Sequence, residues 1–336
     1  MSLLTYDFVV RALLGALFTG LAAPAVGTYL VQRRLSLMGD GIGHVAVTGV
    51  ALGLLTGTSP TLTAVVVAVL GAIVIEVIRE TGRTSGDVAL ALLFYGGIAG
   101  GVLITGLAGQ SAATLNTYLF GSITTISWAD VWVTFALAAV VVVLALGLSP
   151  QLFAVAQDQE FAQVAGLNVR LYNLMVSVMA AVTVTVAMRT VGLLLVSALM
   201  VVPVATAQQL TRAFRTTLLA AMGLGMLASI GGVVVSANLD VAPGATIVLL
   251  ALAGFLAAYP VGVLLRRRQR LAQPFSEPDD PHPIAPDVDH HTVAREDHEH
   301  AHGEDCGHSA VPHGDHVDYV HDGHRHASHG SHYDEH

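Results

Sequence analysis

Long apolar runs recur along this chain, and they leave little choice of fold. A helix crossing the hydrocarbon core of a bilayer needs about 20 consecutive apolar residues. Runs of that length lie at 12–31, 39–56, 60–78, 87–107, 129–148, 171–188, 190–207, 217–237 and 244–264. Only Arg189 and Thr190 separate the sixth from the seventh, so these two form either a tight hairpin or a broken, re-entrant pair. The count is therefore eight or nine. Charged residues make up 12% of the chain, about half of what a soluble domain carries. The expected fold is an all-α integral membrane protein over residues 1–270, followed by a polar tail over 271–336. The first run is not read as a cleaved signal peptide, because it lacks a basic region before it and Arg33 and Arg34 follow it.

Arginine placement orients the chain, since cytoplasmic loops collect basic residues. Arg33 and Arg34 follow the first run, Arg79 and Arg83 the third, Arg170 the fifth, Arg212 and Arg215 the seventh, and Arg266, Arg267, Arg268 and Arg270 the ninth. With nine alternating spans all of these fall on one side, the cytoplasm. The N-terminus is then outside and the tail inside. Arg11 and Arg189 are exceptions at span edges, where a long side chain can snorkel.

Within the spans, small residues are frequent (GGIAGG, GLGMLASIGG) and serve close helix packing in lipid. Pro203, in LMVVPVATA, is expected to break the helical ladder at mid-span, with the freed carbonyls facing protein or a pathway. The longest polar interruption before the tail is Ser149–Arg170, SPQLFAVAQDQEFAQVAGLNVR. Phe153, Ala156, Phe161, Val164 and Ala165 recur there at near-helical spacing. Asp158 and Glu160 suit a helix start, and Ala165–Gly166 suit a helix stop. A pair of short helices on the cytoplasmic face is expected, either as an ordinary connection or as a docking surface.

One acid and one imidazole sit together inside an apolar run. Asp40 and His44, four residues apart, share one helix face, a spacing that lets two side chains approach one cation. A carboxylate within a bilayer costs about 2.5–3.5 kcal/mol on insertion scales and is rarely kept without a role. Glycines at 39, 41 and 43 leave room beside the pair. Taken singly, a lone His is more often a hydrogen-bonded structural residue and a helix-start Asp more often a cap. Taken together they read as an incomplete metal site, whose further ligands come from another helix, a carbonyl or water. Weak binding suits an ion that must leave again. Glu76, in AIVIEVIRE, reads instead as an ion pair with Arg79 three residues on.

The tail is a second metal-like feature. Of the 16 histidines, His44 is alone in the apolar body and the rest lie from His282 to His336, interleaved with Asp and Glu. Imidazole with carboxylate suits borderline divalent cations such as Zn²⁺. His298, His300, His302, His308, His321, His324 and His326 are candidate weak ligands. Cys306, the sole cysteine, is either a soft ligand among them or incidental. Few large apolar residues occur there, so the tail is expected to be disordered. The formal net charge of −9 belongs largely to it. No nucleic-acid partner is expected.

Four stretches in order resemble one family: RRLSLMGDGIGHVAVTGVALG, LNTYLFGSI, DQEFAQVAGLNV and RTVGLLLVSALMVVPVATA. They are similar to the second-helix, central external, coupling-loop and late-helix signatures of the permease subunits of zinc/manganese/iron ABC transporters. The likeness covers about residues 8–265, and the tail lies outside it. It implies a homodimeric permease that receives metal from an external binding protein. It also implies ATPase subunits docking on the coupling loop, through a segment that here contains Asp158, Glu160, Ala165 and Gly166. The chain has no GxxxxGK[ST] phosphate loop, so ATP hydrolysis is expected in a separate subunit.

The function expected is the membrane subunit of an ATP-driven importer of Zn²⁺, with Mn²⁺ or Fe²⁺ as alternatives. The competing readings are a proton-coupled metal transporter, which would want more intramembrane acids and histidines, and a membrane-anchored metal buffer working through its tail.

Overall fold

The structure is a computed structural model that describes residues 6–80, 86–109, 118–121, 126–188, 192–239 and 241–272. Of the tail it describes 292–293, 306–313, 316–321, 324–329 and 332–335. The chain divides into two compact units, residues 1–272 and 273–336.

The first unit is helical: α1 (Asp7–Gln32), α2 (Met38–Thr56), α3 (Pro60–Glu80), α4 (Gly86–Leu107), α5 (Trp128–Gly147), α6 (Ser149–Gln157), α7 (Gln159–Val164), α8 (Val169–Ala187), α9 (Leu193–Leu210), α10 (Phe214–Leu239) and α11 (Pro243–Ala272). Eight of the described helices are long and apolar enough to cross a membrane, namely α1–α5, α8, α10 and α11. Helix α9 contributes a shorter apolar stretch, Val196–Leu210. The expected count of eight or nine holds. Residues 189–191, where the sixth and seventh runs meet, lie outside the described residues.

Two kinds of helix follow from the side chains. Helices α1, α2 and α8 are buried over most of their length, whereas less than a third of α3, α4, α5 and α11 is buried. Along α3 from Leu62 to Val77 the exposed positions are Leu62, Val66, Leu70, Val74 and Val77, a stripe at helical spacing made wholly of aliphatic side chains. A wholly apolar exposed face suits hydrocarbon, not water. The inner helices instead carry glycine and alanine. Helix α1 lies against α10 where Gly20, Pro24 and Gly225 meet, and a Cβ added at Gly20 would lie 2.8 Å from the Gly225 carbonyl oxygen. Farther along α1, a Cβ at Gly27 would collide with the main chain of Met200 on α9. Such contacts, and not hydrophobicity, hold helices together in lipid. The Tyr29 hydroxyl donates to the Ala145 carbonyl at 2.5 Å and ties α1 to α5.

Pro203 does not break its helix. Helix α9 runs through it from Leu193 to Leu210. The proline lines a lateral cavity of about 260 Å³ with Thr206, Leu224, Leu227 and Leu250, and neither Asp40 nor His44 belongs to that lining.

Within the tail, the described residues include five short strands, β1 (Thr292–Val293), β2 (Ser309–His313), β3 (His316–His321), β4 (His324–His329) and β5 (His332–Glu335). They form one antiparallel sheet in the order β1-β5-β4-β3-β2. A local sequence pattern accompanies these strands. Val317, Tyr319 and Val320 favour strand. The pairs His313–His316, His321–His324 and His329–His332 face each other in the register. Each pair is separated by two residues, Gly-Asp, Asp-Gly and Gly-Ser in turn, which are hairpin dipeptides.

Candidate functional site

Helix α2 begins at Met38, directly after a connection in which Arg34 adopts a left-handed backbone (φ 58°). Its N-terminus has no side-chain cap from Leu37. Asp40 lies in the first turn, where the helix dipole favours a negative charge. Its Oδ1 accepts a hydrogen bond from Ser197 Oγ on α9 at 3.0 Å. The carboxylate is half-buried and lines a cavity of about 360 Å³ with Leu37, Gly41, Leu90, Phe94 and Tyr95. His44, one turn on, is buried at 7% exposure. Its ring stands edge-on to Phe94 of α4 with centroids 4.3 Å apart.

The glycines around the pair have distinct uses. A Cβ at Gly43 would sit 2.6 Å from Leu193 Cδ1, so this glycine admits α9. A Cβ at Gly41 would meet Leu90 only at ordinary contact distance, 3.6 Å. Helix α4 approaches through its main chain: a Cβ at Gly97 would lie 2.6 Å from the His44 carbonyl carbon. Thr48 Oγ1 donates to the Gly97 carbonyl at 2.8 Å and fixes that crossing. The arrangement therefore holds a carboxylate and an imidazole on one helix face, with α4 and α9 pressed against them. Among the described residues no group of three or more His, Cys, Asp or Glu side chains forms a ready-made metal cluster.

Glu76 is built differently. It is 3% exposed. Its expected pair with Arg79 is present at 3.1 Å, but Arg33 at the end of α1 also reaches it at 3.4 Å, and Ser177 Oγ of α8 donates to it at 2.9 Å. Burial pushes the Arg33 guanidinium down from its usual value, and the Glu76 carboxylate pulls it back up. This cluster joins α1, α3 and α8.

The segment after α5 forms the two short helices α6 and α7. Asp158 caps α7, accepting from the Phe161 amide at 2.9 Å. Glu160 lies in its first turn, and Ala165 follows as its C-cap. Gly166 then takes a left-handed backbone (φ 83°), which glycine adopts without strain. Phe161 and Val164 are 67% and 88% exposed, an apolar surface on a helix of six residues. Gln32 donates to Gln157 and ties the end of α1 to the end of α6.

The tail candidates fall into three groups. His298, His300 and His302 lie outside the described residues. Cys306 and His308 precede β2, and Cys306 is free of any disulfide. His321 and His324 face each other across β3 and β4, while His326 is buried at 2% exposure, opposite Tyr319 and Glu335.

Ser197, Phe94, Gly97, Arg33 and Ser177 were not singled out by the sequence as parts of a site. Ser197 and Gly97 do lie in stretches noted for other reasons, the late-helix signature and GGIAGG.

The model of one transporter family, described as ABC 3 transport family, matches residues 5–262. The chain belongs to that family. This ABC 3 family chain is 31% identical over 264 residues to the manganese import system permease protein ScaB of Streptococcus parasanguinis, covering 79% of this chain and 94% of that protein. It is 28% identical over 245 residues to the high-affinity zinc uptake system membrane protein ZnuB of Haemophilus influenzae, covering 73% and 94%. Among solved structures it is similar to PsaBC from Streptococcus pneumoniae in complex with Fab, with a TM-score of 0.70 and 30% identity, over 76% of this chain and 92% of that one. The ABC 3 family member described here is thus a multi-pass membrane protein of the ABC permease type.

Proposed function

We propose that this permease carries a divalent transition metal, Zn²⁺ first, into the cell, and that Asp40 and His44 contact the ion in transit. The observation that carries this is their placement on one face of α2: a carboxylate facing a cavity and an imidazole one turn on, both against α9 and α4. Carboxylate and imidazole together suit borderline cations. Mn²⁺ is the second reading, favoured by the name of the ScaB relative and by the oxygen ligand that Asp40 supplies. Two chains pair to form the pathway, an external binding protein delivers the ion, and separate ATPase subunits drive it; the chain itself is not an enzyme. Asp158, Glu160, Ala165 and Gly166 shape the α6–α7 surface on which an ATPase subunit docks, with Phe161 and Val164 as its exposed apolar contacts.

The tail candidates His298, His300, His302, Cys306, His308, His321, His324 and His326 hold the same kind of cation weakly on the cytoplasmic side. The N-terminus is then external. Cys306 is the sole cysteine, so it is a built-in reporter of sidedness. An impermeant maleimide should label it in inside-out vesicles and not in intact cells, and labelling of intact cells would reverse the topology. For transport, the assembled complex in vesicles should take up ⁶⁵Zn²⁺ in an ATP-dependent way. An Asp40→Asn or His44→Ala complex that takes up the ion at the wild-type rate would end the proposal for that residue. Competition by Mn²⁺ against ⁶⁵Zn²⁺ separates the two readings of the cargo.

A further inference from the structure

Where α1 and α9 end and α10 begins, a further cavity of about 430 Å³ lies against α6, and it shares no lining residue with the cavity at Asp40. Its walls come from the ends of apolar helices, the level at which a bilayer gives way to water. Three amides line it, those of Gln32, Gln157 and Gln208. Gln32 donates to Gln157 Oε1, which leaves the Gln157 amide nitrogen to donate elsewhere. The hydroxyl of Thr211, also in the lining, is already spent on the Ala207 carbonyl at 2.8 Å. Among the described residues of the lining one is charged, Arg212, in the connection between α9 and α10. It is exposed and makes no ion pair among the described residues. Asp158, next in sequence to Gln157, is engaged elsewhere as the cap of α7, and the first turn of α10 holds no acid. Phe153 and Phe214, with ring centroids 4.5 Å apart, give the cavity an apolar wall.

We infer that this cavity binds an organic phosphate, with the phosphate group on Arg212 and the amides of Gln157 and Gln208, and the ester carbons against Phe153 and Phe214. The donors decide the sign of the ligand. An unpaired guanidinium and amide N–H groups, with no carboxylate in the described lining, attract an anion and repel a metal cation. A guanidinium takes phosphate through paired N–H donors, in bonds stronger than those between neutral groups. The aromatic wall adds apolar contact that a bare phosphate ion would leave unused. The volume falls within the range of about 300–1,000 Å³ found for small-molecule sites. At the ends of membrane helices this chemistry comes from a phospholipid headgroup or from a soluble phosphate ester, and the site reads the phosphate ester common to both. The inference does not depend on what the pathway carries, since neither Asp40 nor His44 has a part in it.

The experiment is calorimetric titration of the purified full-length chain, in an uncharged detergent near neutral pH, with glycerol phosphate, dihexanoyl phosphatidylglycerol and dihexanoyl phosphatidylcholine. Saturable binding of the first two supports a site that reads the ester itself. Binding of phosphatidylglycerol alone makes the source a lipid headgroup, and binding of glycerol phosphate alone makes it a soluble ester. Binding of neither overturns the proposal. So does equal binding of phosphatidylcholine and phosphatidylglycerol, because acyl chains and not an anion would then be held. Arg212→Gln, which removes the charge, should weaken binding of the anionic probe about tenfold. Arg215→Gln removes the same charge one turn into α10, at a residue outside the lining, and should leave binding nearly unchanged. Equal loss in both variants would mean that only the general positive charge of this end attracts the probe, and the proposal falls. Gln208→Trp fills part of the cavity without removing a charge and should also weaken binding; unaltered affinity there places the probe somewhere else. All three substitutions are at exposed positions, so the unfolding midpoint should stay at the wild-type value.

Discussion

Two acids of the helical unit, Glu76 and Asp40, are treated in opposite ways. Glu76 is enclosed: two arginines and a serine hydroxyl from three helices converge on it, and the cluster is almost wholly out of solvent. Asp40 is left half open: Ser197 donates one hydrogen bond, and the carboxylate still faces a cavity of about 360 Å³, with His44 one turn away. An acid whose charge is already balanced can only brace its neighbours. An acid with an open side can take a cation and give it up. Residue type does not separate the two, and neither does depth in an apolar run. The separation comes from how many donors the fold has already assigned.

The largest effect that could break this contrast is on transport. Asp40→Asn, which keeps the shape and removes the charge, should bring ATP-dependent ⁶⁵Zn²⁺ uptake to background while leaving the thermal unfolding midpoint in detergent nearly unchanged. A large fall in that midpoint would mean that Asp40 braces the fold as Glu76 does. The mirror experiment is Glu76→Ala, which strands Arg33 and Arg79. Removing one partner of a buried ion pair costs about 3–5 kcal/mol, so unfolding should shift strongly. Replacing Arg33 by Met in the same protein should recover part of the loss, because the uncompensated buried charge is then gone.

A smaller effect tests how tightly α4 presses on the site. Gly97→Ala would drive a methyl into the His44 main chain. Overpacking of this kind costs about 1–3 kcal/mol, and uptake should fall as α2 and α4 move apart. Equal stability with equal uptake would show that the crossing is not needed. The smallest effect lies away from both acids. Asp158→Ala removes the α7 cap, worth about 1 kcal/mol locally. ATP turnover by the complex should become less dependent on metal, with the unfolding midpoint of the helical unit little changed. If turnover and uptake stay coupled as in the wild type, the cap has no part in docking.

The features legible in the sequence were local ones. The spacing of Asp40 and His44 and the cap and stop of the 149–170 segment are set within a few residues, and the structure has these elements as helices. What could not be read depends on residues far apart in the chain. Arg33 meets Glu76 across 43 positions and Ser177 meets it across 101. Helical periodicity carries no information on such pairings; they follow from which helices cross. Pro203 misled because a proline inside a helix signals a local break, while α9 runs through it from Leu193 to Leu210. In the tail, the described strands include Val317, Tyr319 and Val320, strand-favouring residues within a stretch that is polar on average.

The contact between Gly27 and the Met200 main chain bears on how such proteins diverge. A side chain in the way can turn aside, but a carbonyl on a packed helix cannot, so no substitution at Gly27 has a compensating rotamer elsewhere. Lineages descended from a common ancestor with this fold should keep glycine at that position while the lipid-facing residues of α3 exchange freely among Leu, Ile and Val. An aligned set of natural sequences in which bulky residues are tolerated there would require the α1–α9 crossing to differ between them.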